Sequence, residues 1–110
     1  HPDIARGLNN LGLLLHSQGR PQEAEQLYHR ALALWERTLD GKHPAVAYTL
    51  NNLGLLLYEQ GRRTEATPYY QRALEIREKT LPADHPLIAR TRERLDLCLL
   101  QGPWRDLSNK

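Results

Sequence analysis

The sequence predicts an all-α fold, an α-solenoid of antiparallel helix pairs with about two and a half repeats, and three observations predict it. His-Pro recurs at His1-Pro2, His43-Pro44 and His85-Pro86, with a spacing of 42 residues both times. The segments that follow the first two are identical at about half of their positions and share the string LNNLGLLL, at Leu8–Leu15 and Leu50–Leu57. Apolar residues fall at helical spacing, and alternation of apolar and polar residues is never sustained, so strand signals are absent. A period of this length belongs to architectures in which stacked units share one continuous core. The predicted organisation is a first repeat at 1–42, a second at 43–84, a capping helix at 85–101 and a C-terminal tail at 102–110.

Each full repeat reads as two helices. Pro2 and Pro44 suit a first helical position, where a missing N–H costs nothing. The first helix carries Ile4, Leu8, Leu11 and Leu15, or Val46, Leu50, Leu53 and Leu57. Gly19 and Gly61 stop it in the left-handed conformation. The second helix starts near Pro21 or Thr64 and carries Ala24, Leu27, Tyr28, Ala31, Leu32 and Trp35, or Ala66, Tyr69, Tyr70, Ala73, Leu74 and Ile76. Pro68 falls inside the fourth helix and predicts a displaced helix start. Gly12 and Gly54 recur inside the first helices, where Gly costs roughly 1 kcal/mol relative to Ala, so they predict close helix packing against Ala24 and Ala66. In the third unit Asp96 takes the place of that glycine. Leu95, Leu97, Leu99 and Leu100 keep a partly apolar helix and Arg90, Arg92, Glu93, Arg94 and Asp96 make the rest of it polar, the pattern expected of a cap with one apolar and one wet side.

Composition excludes several function classes. Lys and Arg total 15 against 13 Asp and Glu, a net charge of +2 with the signs interspersed. That is a solvated helical surface and not the basic stripe nucleic acid requires. No apolar run is long enough to span a bilayer, and no signal peptide is visible. Cys98 is the single cysteine. It offers no disulfide framework, which points to a reducing, cytoplasmic setting, and it reads as a small buried residue. The chain has no methionine, which predicts a segment of a longer protein. The histidines at 1, 43 and 85 read as loop structure and not as a metal site, because equivalent positions in stacked helices lie roughly 8–10 Å apart and zinc–nitrogen bonds are about 2.0–2.1 Å. No phosphate loop, paired-carboxylate motif or nucleophile elbow appears, so no enzyme activity and no cofactor are expected.

Leu11-Gly12, Leu15, Ala24, Tyr28 and Ala31, and again Leu53-Gly54, Leu57, Ala66, Tyr70 and Ala73, resemble the leucine–glycine, large apolar, alanine, aromatic, alanine pattern of tetratricopeptide repeats. The repeat length, the LNNLG core, the RALEIREKTL run and the terminal His-Pro are similar to the subtype of kinesin light chains and many bacterial arrays. The resemblance covers residues 1 to about 101. Leu8 and Leu50 stand where the family usually has tryptophan, a departure the longer subtype tolerates.

The resemblance implies a protein-interaction scaffold whose first helices line a concave groove for a peptide or partner helix. The groove positions it implies are Arg6, Asn9, Asn10, Leu13 and His16, then Tyr48, Asn51, Asn52, Leu55 and Tyr58, then Arg90, Glu93, Arg94 and Leu97. Asn is a poor interior helix residue, yet two adjacent ones recur in both repeats. An amide offers donors and an acceptor to an extended peptide backbone. The alternative is that one asparagine of each pair ties neighbouring helices together. Some family members hold a terminal carboxylate with a clamp of Lys, Asn and Arg. Asn52, Arg90 and Arg94 fall on clamp-like positions, but Asn9 and Leu13 stand where Lys and Asn belong, so a full clamp is not expected. Arg90 and Arg94, one turn apart, can meet one carboxylate or can be solvated cap arginines.

Two function classes follow. One is a groove binding a peptide, with acidic residues favoured because Arg6, His16, Arg90 and Arg94 outnumber Glu59 and Glu93. The other is a structural spacer, an oligomerisation element or the sensor arm of a larger signalling protein. Ile4, Leu8, Leu11, Leu13, Leu14 and Leu15 do not fit on one helix face. With Ile4, Leu8 and Leu15 expected at the surface, self-association through the first repeat is predicted. Neither nucleic acid nor membrane is an expected partner.

Overall fold

The computed structural model describes residues 2–38 and 43–108, with side chains described for 4–37 and 43–100. Among these residues the chain forms five helices and no strand: α1 (Pro2–Ser17), α2 (Pro21–Thr38), α3 (Pro44–Glu59), α4 (Arg63–Thr80) and α5 (Pro86–Ser108). Helices α1 and α2 pack as one antiparallel pair and α3 and α4 as the next. α2 packs on α3, α4 on α5, and α1 touches α3. This is an α-solenoid, as the period predicts.

The helix ends follow from the repeated residues. The His43 Nδ1 accepts from the Ala45 N–H at 3.1 Å, and the His85 Nδ1 accepts from the Leu87 N–H at 3.1 Å. His-Pro is therefore an N-cap followed by a helix-compatible proline, an unusual use of imidazole for the role Ser or Asp commonly fills. His1 lies outside the described residues. At the other end Gly19 and Gly61 have φ of 76° and 77°. Arg20 N–H bonds to the Leu15 carbonyl at 2.9 Å and Gly19 N–H to that of His16 at 3.1 Å, and Arg62 and Gly61 repeat both bonds on Leu57 and Tyr58. This double closure satisfies carbonyls that a helix end leaves open.

The core is one cluster running through both pairs, from Ala5, Leu15, Ala24, Tyr28 and Trp35 to Leu50, Leu53, Ala66, Tyr70 and Ile76 and on to Leu95 and Cys98. A Cβ on Gly12 would stand 2.7 Å from the Tyr28 ring, and one on Gly54 would stand 3.0 Å from the Tyr70 ring. The glycines thus admit a buried tyrosine from the paired helix.

Three expectations are corrected. α4 begins at Arg63, in register with α2, and Pro68 lies inside it with no displaced start. Pro68 is exposed, so water can meet the carbonyl its missing N–H leaves free. α5 does not end near residue 101 but continues through Gly102 and Pro103 to Ser108. Gly and Pro weaken a helix without terminating it when helical backbone continues on both sides. The cap is also less polar than expected, because α5 exposes Leu97, Leu99 and Leu100. Leu99 corresponds to Leu15 and Leu57, which are buried.

Candidate functional site

The predicted groove residues lie on α1, α3 and α5 and divide into buried ties and exposed lining. Asn9 and Asn52 are 3% and 7% exposed, and the Asn52 Nδ2 donates to the Asn9 Oδ1 at 3.2 Å. These two amides join α1 to α3. For them the tie between helices replaces the expected peptide contact. Asn10 is exposed and Asn51 half-buried, so their amides remain on the accessible side. A second link joins the same helices, His16 Nε2 to Glu59 Oε1 at 2.5 Å.

The structure brings Arg6, Asn9, Asn10 and Tyr48 together around a cavity of about 260 Å³ whose wall is completed by Trp35, Ala45 and Thr49. Tyr48 is 46% exposed. A second cavity of about 250 Å³ lies at the other end of the same helices, lined by His16, Gly19, Pro21, Leu56, Glu59 and Gln60. Leu13 and Leu55 are half-buried. Tyr58 is half-buried beneath the Arg63 guanidinium, whose carbon sits 4.9 Å from the ring centroid. On α5, Arg90, Glu93 and Leu97 are exposed and Arg94 is half-buried. Neither cavity includes these α5 residues.

Sequence reasoning placed Trp35 on the apolar side of its helix but missed its hydrogen bond, and it missed Thr49, Arg77 and Thr91. The Trp35 Nε1 donates to the Thr49 Oγ1 at 3.2 Å, and the Arg77 Nη1 donates to the Thr91 Oγ1 at 2.7 Å. The two threonines stand 42 residues apart, as do Trp35 and Arg77, and that recurrence was the available signal.

Several charges outside the groove are paired: Arg62 with Glu25 and Glu65, Arg72 with Glu36, Arg92 with Glu78, Arg20 with Glu23. Hydrogen bonds from Arg62 hold the Glu65 carboxyl below its ordinary range. In the groove, Arg6, Arg90 and Arg94 have no acidic partner among the described residues. Burial pushes the Cys98 thiol up, against a lowering contribution from a Thr67 hydrogen bond. Among the described residues no cluster of three or more His, Cys, Asp or Glu side chains is placed to hold a metal ion. None of the helices is long and apolar enough to cross a membrane, again among the described residues.

The architecture and the site have counterparts. The tetratricopeptide repeat family model matches residues 3–79 and 49–102. No curated protein matches the chain closely enough to count. Among solved structures, BtubC (BKLC) from P. vanneervenii is similar at 27% identity and a TM-score of 0.79, over 86% of this chain and 38% of that one. A putative kinesin light chain from Podosopora anserina with nearly identical TPR-like repeats is similar at 25% identity and a TM-score of 0.77, over 96% of this chain and 49% of that one. A variant of that protein gives 25% identity and a TM-score of 0.76, over 91% and 47%. The chain thus spans about two fifths to half the length of the structures it matches. Tetratricopeptide repeats are protein-interaction scaffolds, typically without catalysis of their own. With the family model covering most of its length, this chain belongs to the tetratricopeptide repeat family, and its 42-residue repeats are of the kinesin-light-chain-like kind.

Proposed function

We propose that the groove of α1, α3 and α5 binds an extended peptide rich in acidic residues. The observation that carries the reading is a set of groove cations without counter-ions: Arg6, Arg90 and Arg94 have no carboxylate partner among the described residues. Of the two groove acids, Glu59 is held by His16, which leaves the exposed Glu93 of α5 against three arginines. Asn10 and Asn51 supply amides for a peptide backbone, and Tyr48 offers an aromatic face and a phenol beside the cavity. Few exposed ion pairs give rate and specificity more than affinity, and salt screens them.

The test is fluorescence anisotropy with labelled glutamate-rich and glutamine-rich peptides of equal length. The acidic peptide should bind several-fold more tightly, with a Kd that rises with salt. Equal binding of the two would remove the charge argument.

The reading is of a binding module and not of an enzyme. The single thiol is buried and shifted away from the thiolate, the wrong direction for a nucleophile. A lone cysteine also suits a reducing, cytoplasmic setting. A second reading, self-association through the first repeat, is favoured by Ile4, Leu11 and Leu14, exposed at 58%, 45% and 52%. Their counterparts Val46, Leu53 and Leu56 are buried by the preceding pair. Of the residues expected at this surface, Ile4 is exposed, but Leu8 is half-buried and Leu15 is buried against α2. Leu15 lies three residues past Gly12, on the stripe that meets the paired helix.

A further inference from the structure

The two joints between helix pairs differ in one buried residue. Trp35 and Arg77 occupy the same place in ALALWERTL and ALEIREKTL, and each donates to a threonine of the following helix. An indole has one N–H, and Thr49 takes it. A guanidinium has five, and Thr91 takes one. The Arg77 guanidinium has no other hydrogen-bond partner among the described residues.

Arg77 is 5% exposed, and no carboxylate acts on it. Burial and the like charge of Arg90 both push its pKa down, and the Tyr48 phenol pushes the other way. A buried charge without a counter-ion is costly, and proteins ordinarily pair it. The Arg77 guanidinium has no such counter-ion among the described residues. Its neighbour Arg90 also lacks an acid, as does Arg94 one turn further along α5.

At the first joint, Trp35 stands in the wall of the cavity between Arg6 and Tyr48. The repeat places Arg77 correspondingly between Tyr48 and Arg90, and both of those residues act on it electrostatically. Arg77 belongs to the second helix of its pair, outside the set of groove positions the family resemblance implies.

We infer that Arg77 and Arg90 form an anion seat at the joint of α3, α4 and α5, and that it takes a carboxylate of the peptide bound in the groove. The inference rests on the groove reading and names its anchor. A carboxylate that both guanidiniums reach would accept charge-assisted hydrogen bonds of the strong kind, and the buried guanidinium is already oriented by Thr91, the residue next to Arg90.

The experiment uses the full chain and three fluorescein-labelled peptides: amidated hexaglutamate, amidated hexaglutamine, and hexaglutamine with a free C-terminus. Anisotropy gives Kd, and the ¹H–¹⁵N signal of the Arg77 side-chain Nε–H reports occupancy. Arg77→Trp copies the residue of the first joint, including a donor for Thr91. It should bind hexaglutamate at least tenfold more weakly, and the Arg77 signal of the wild type should move with hexaglutamate and stay still with amidated hexaglutamine. Movement with the free C-terminus would show that a terminal carboxylate also fits. If Arg77→Trp binds like the wild type while Arg6→Gln and Asn51→Ala bind weakly, the seat is wrong and the groove reading stands. If none of the three changes binding, both are wrong. Should Arg77→Trp not fold, an Arg77 signal unmoved at saturating hexaglutamate overturns the seat by itself. A larger movement with inorganic phosphate than with hexaglutamate at equal ionic strength overturns the carboxylate assignment.

Discussion

The Asn52 side chain on α3 donates to the Asn9 side chain on α1 at 3.2 Å, and both are shielded from water. Removing one partner strands the other, at roughly 1–3 kcal/mol. Asn9→Ala and Asn52→Ala are therefore expected to lower the urea midpoint clearly. Asn51→Ala, at a half-buried position, should change stability little and weaken peptide binding. A stability loss at Asn51 matching that at Asn52 would contradict the assignment.

Two glycines of α1 should respond in opposite directions to alanine. Gly7 has nothing within 4 Å of a would-be Cβ, so Gly7→Ala should stabilise by about 0.5–1 kcal/mol. At Gly12 the Cβ would press on Tyr28 at 2.7 Å. Overpacking, roughly 1–3 kcal/mol, should exceed the helix gain of roughly 1 kcal/mol. Chemical denaturation measures both, and a stabilised Gly12→Ala would mean that Tyr28 yields freely.

Alkaline pH should unfold the chain through its buried tyrosines. The Tyr28 and Tyr70 hydroxyls have no hydrogen-bond partner among the described residues. Burial pushes Tyr28 from 10.0 up to about 12 and Tyr70 higher still. The folded state keeps a proton that the unfolded state releases above pH 10, so stability is full below pH 10 and falls as pH rises toward 12. For Tyr28 the loss approaches roughly 2–3 kcal/mol. Tyrosinate absorbance and helical circular dichroism should change together. Ionisation of all the tyrosines near pH 10 with helicity intact would contradict the burial.

The α1 surface of Ile4, Leu11 and Leu14 should drive association. Sedimentation velocity at rising concentration is expected to show larger species, and replacing all three with Lys should abolish them. A monomer at every concentration would leave this surface without a role in association. A Leu8→Lys change should instead destabilise the fold, because Leu8 packs against the core.

What repeats was legible in the sequence. The period, the turn glycines and the packing glycines announce themselves twice, and their physics is local. What depends on rotation about a helix axis was harder to read. Adjacent asparagines differ by about 100°, so either member of Asn9-Asn10 or Asn51-Asn52 can turn inward. The structure selects the first of one pair and the second of the other. The stripe of Leu8 and Leu15 faces the core, while that of Ile4, Leu11 and Leu14 is exposed. Gly12 marks which is which, once it is known to admit Tyr28. Arg77 was hidden by its neighbours, since a cation within REKT reads as one more solvated residue.

The side chains that meet between α1 and α3 are 43 residues apart, as Asn9 with Asn52 and His16 with Glu59, while the sequence repeats every 42. A residue is therefore never opposite its own counterpart. Each joint is made between two different positions, so it has a front and a back even where the repeats are identical. Assembly along this axis has a polarity, and a unit turned end for end would present the wrong partner at every contact. Growth by such a joint is head-to-tail. It closes into a ring only when the rotation per unit divides the circle and is otherwise open.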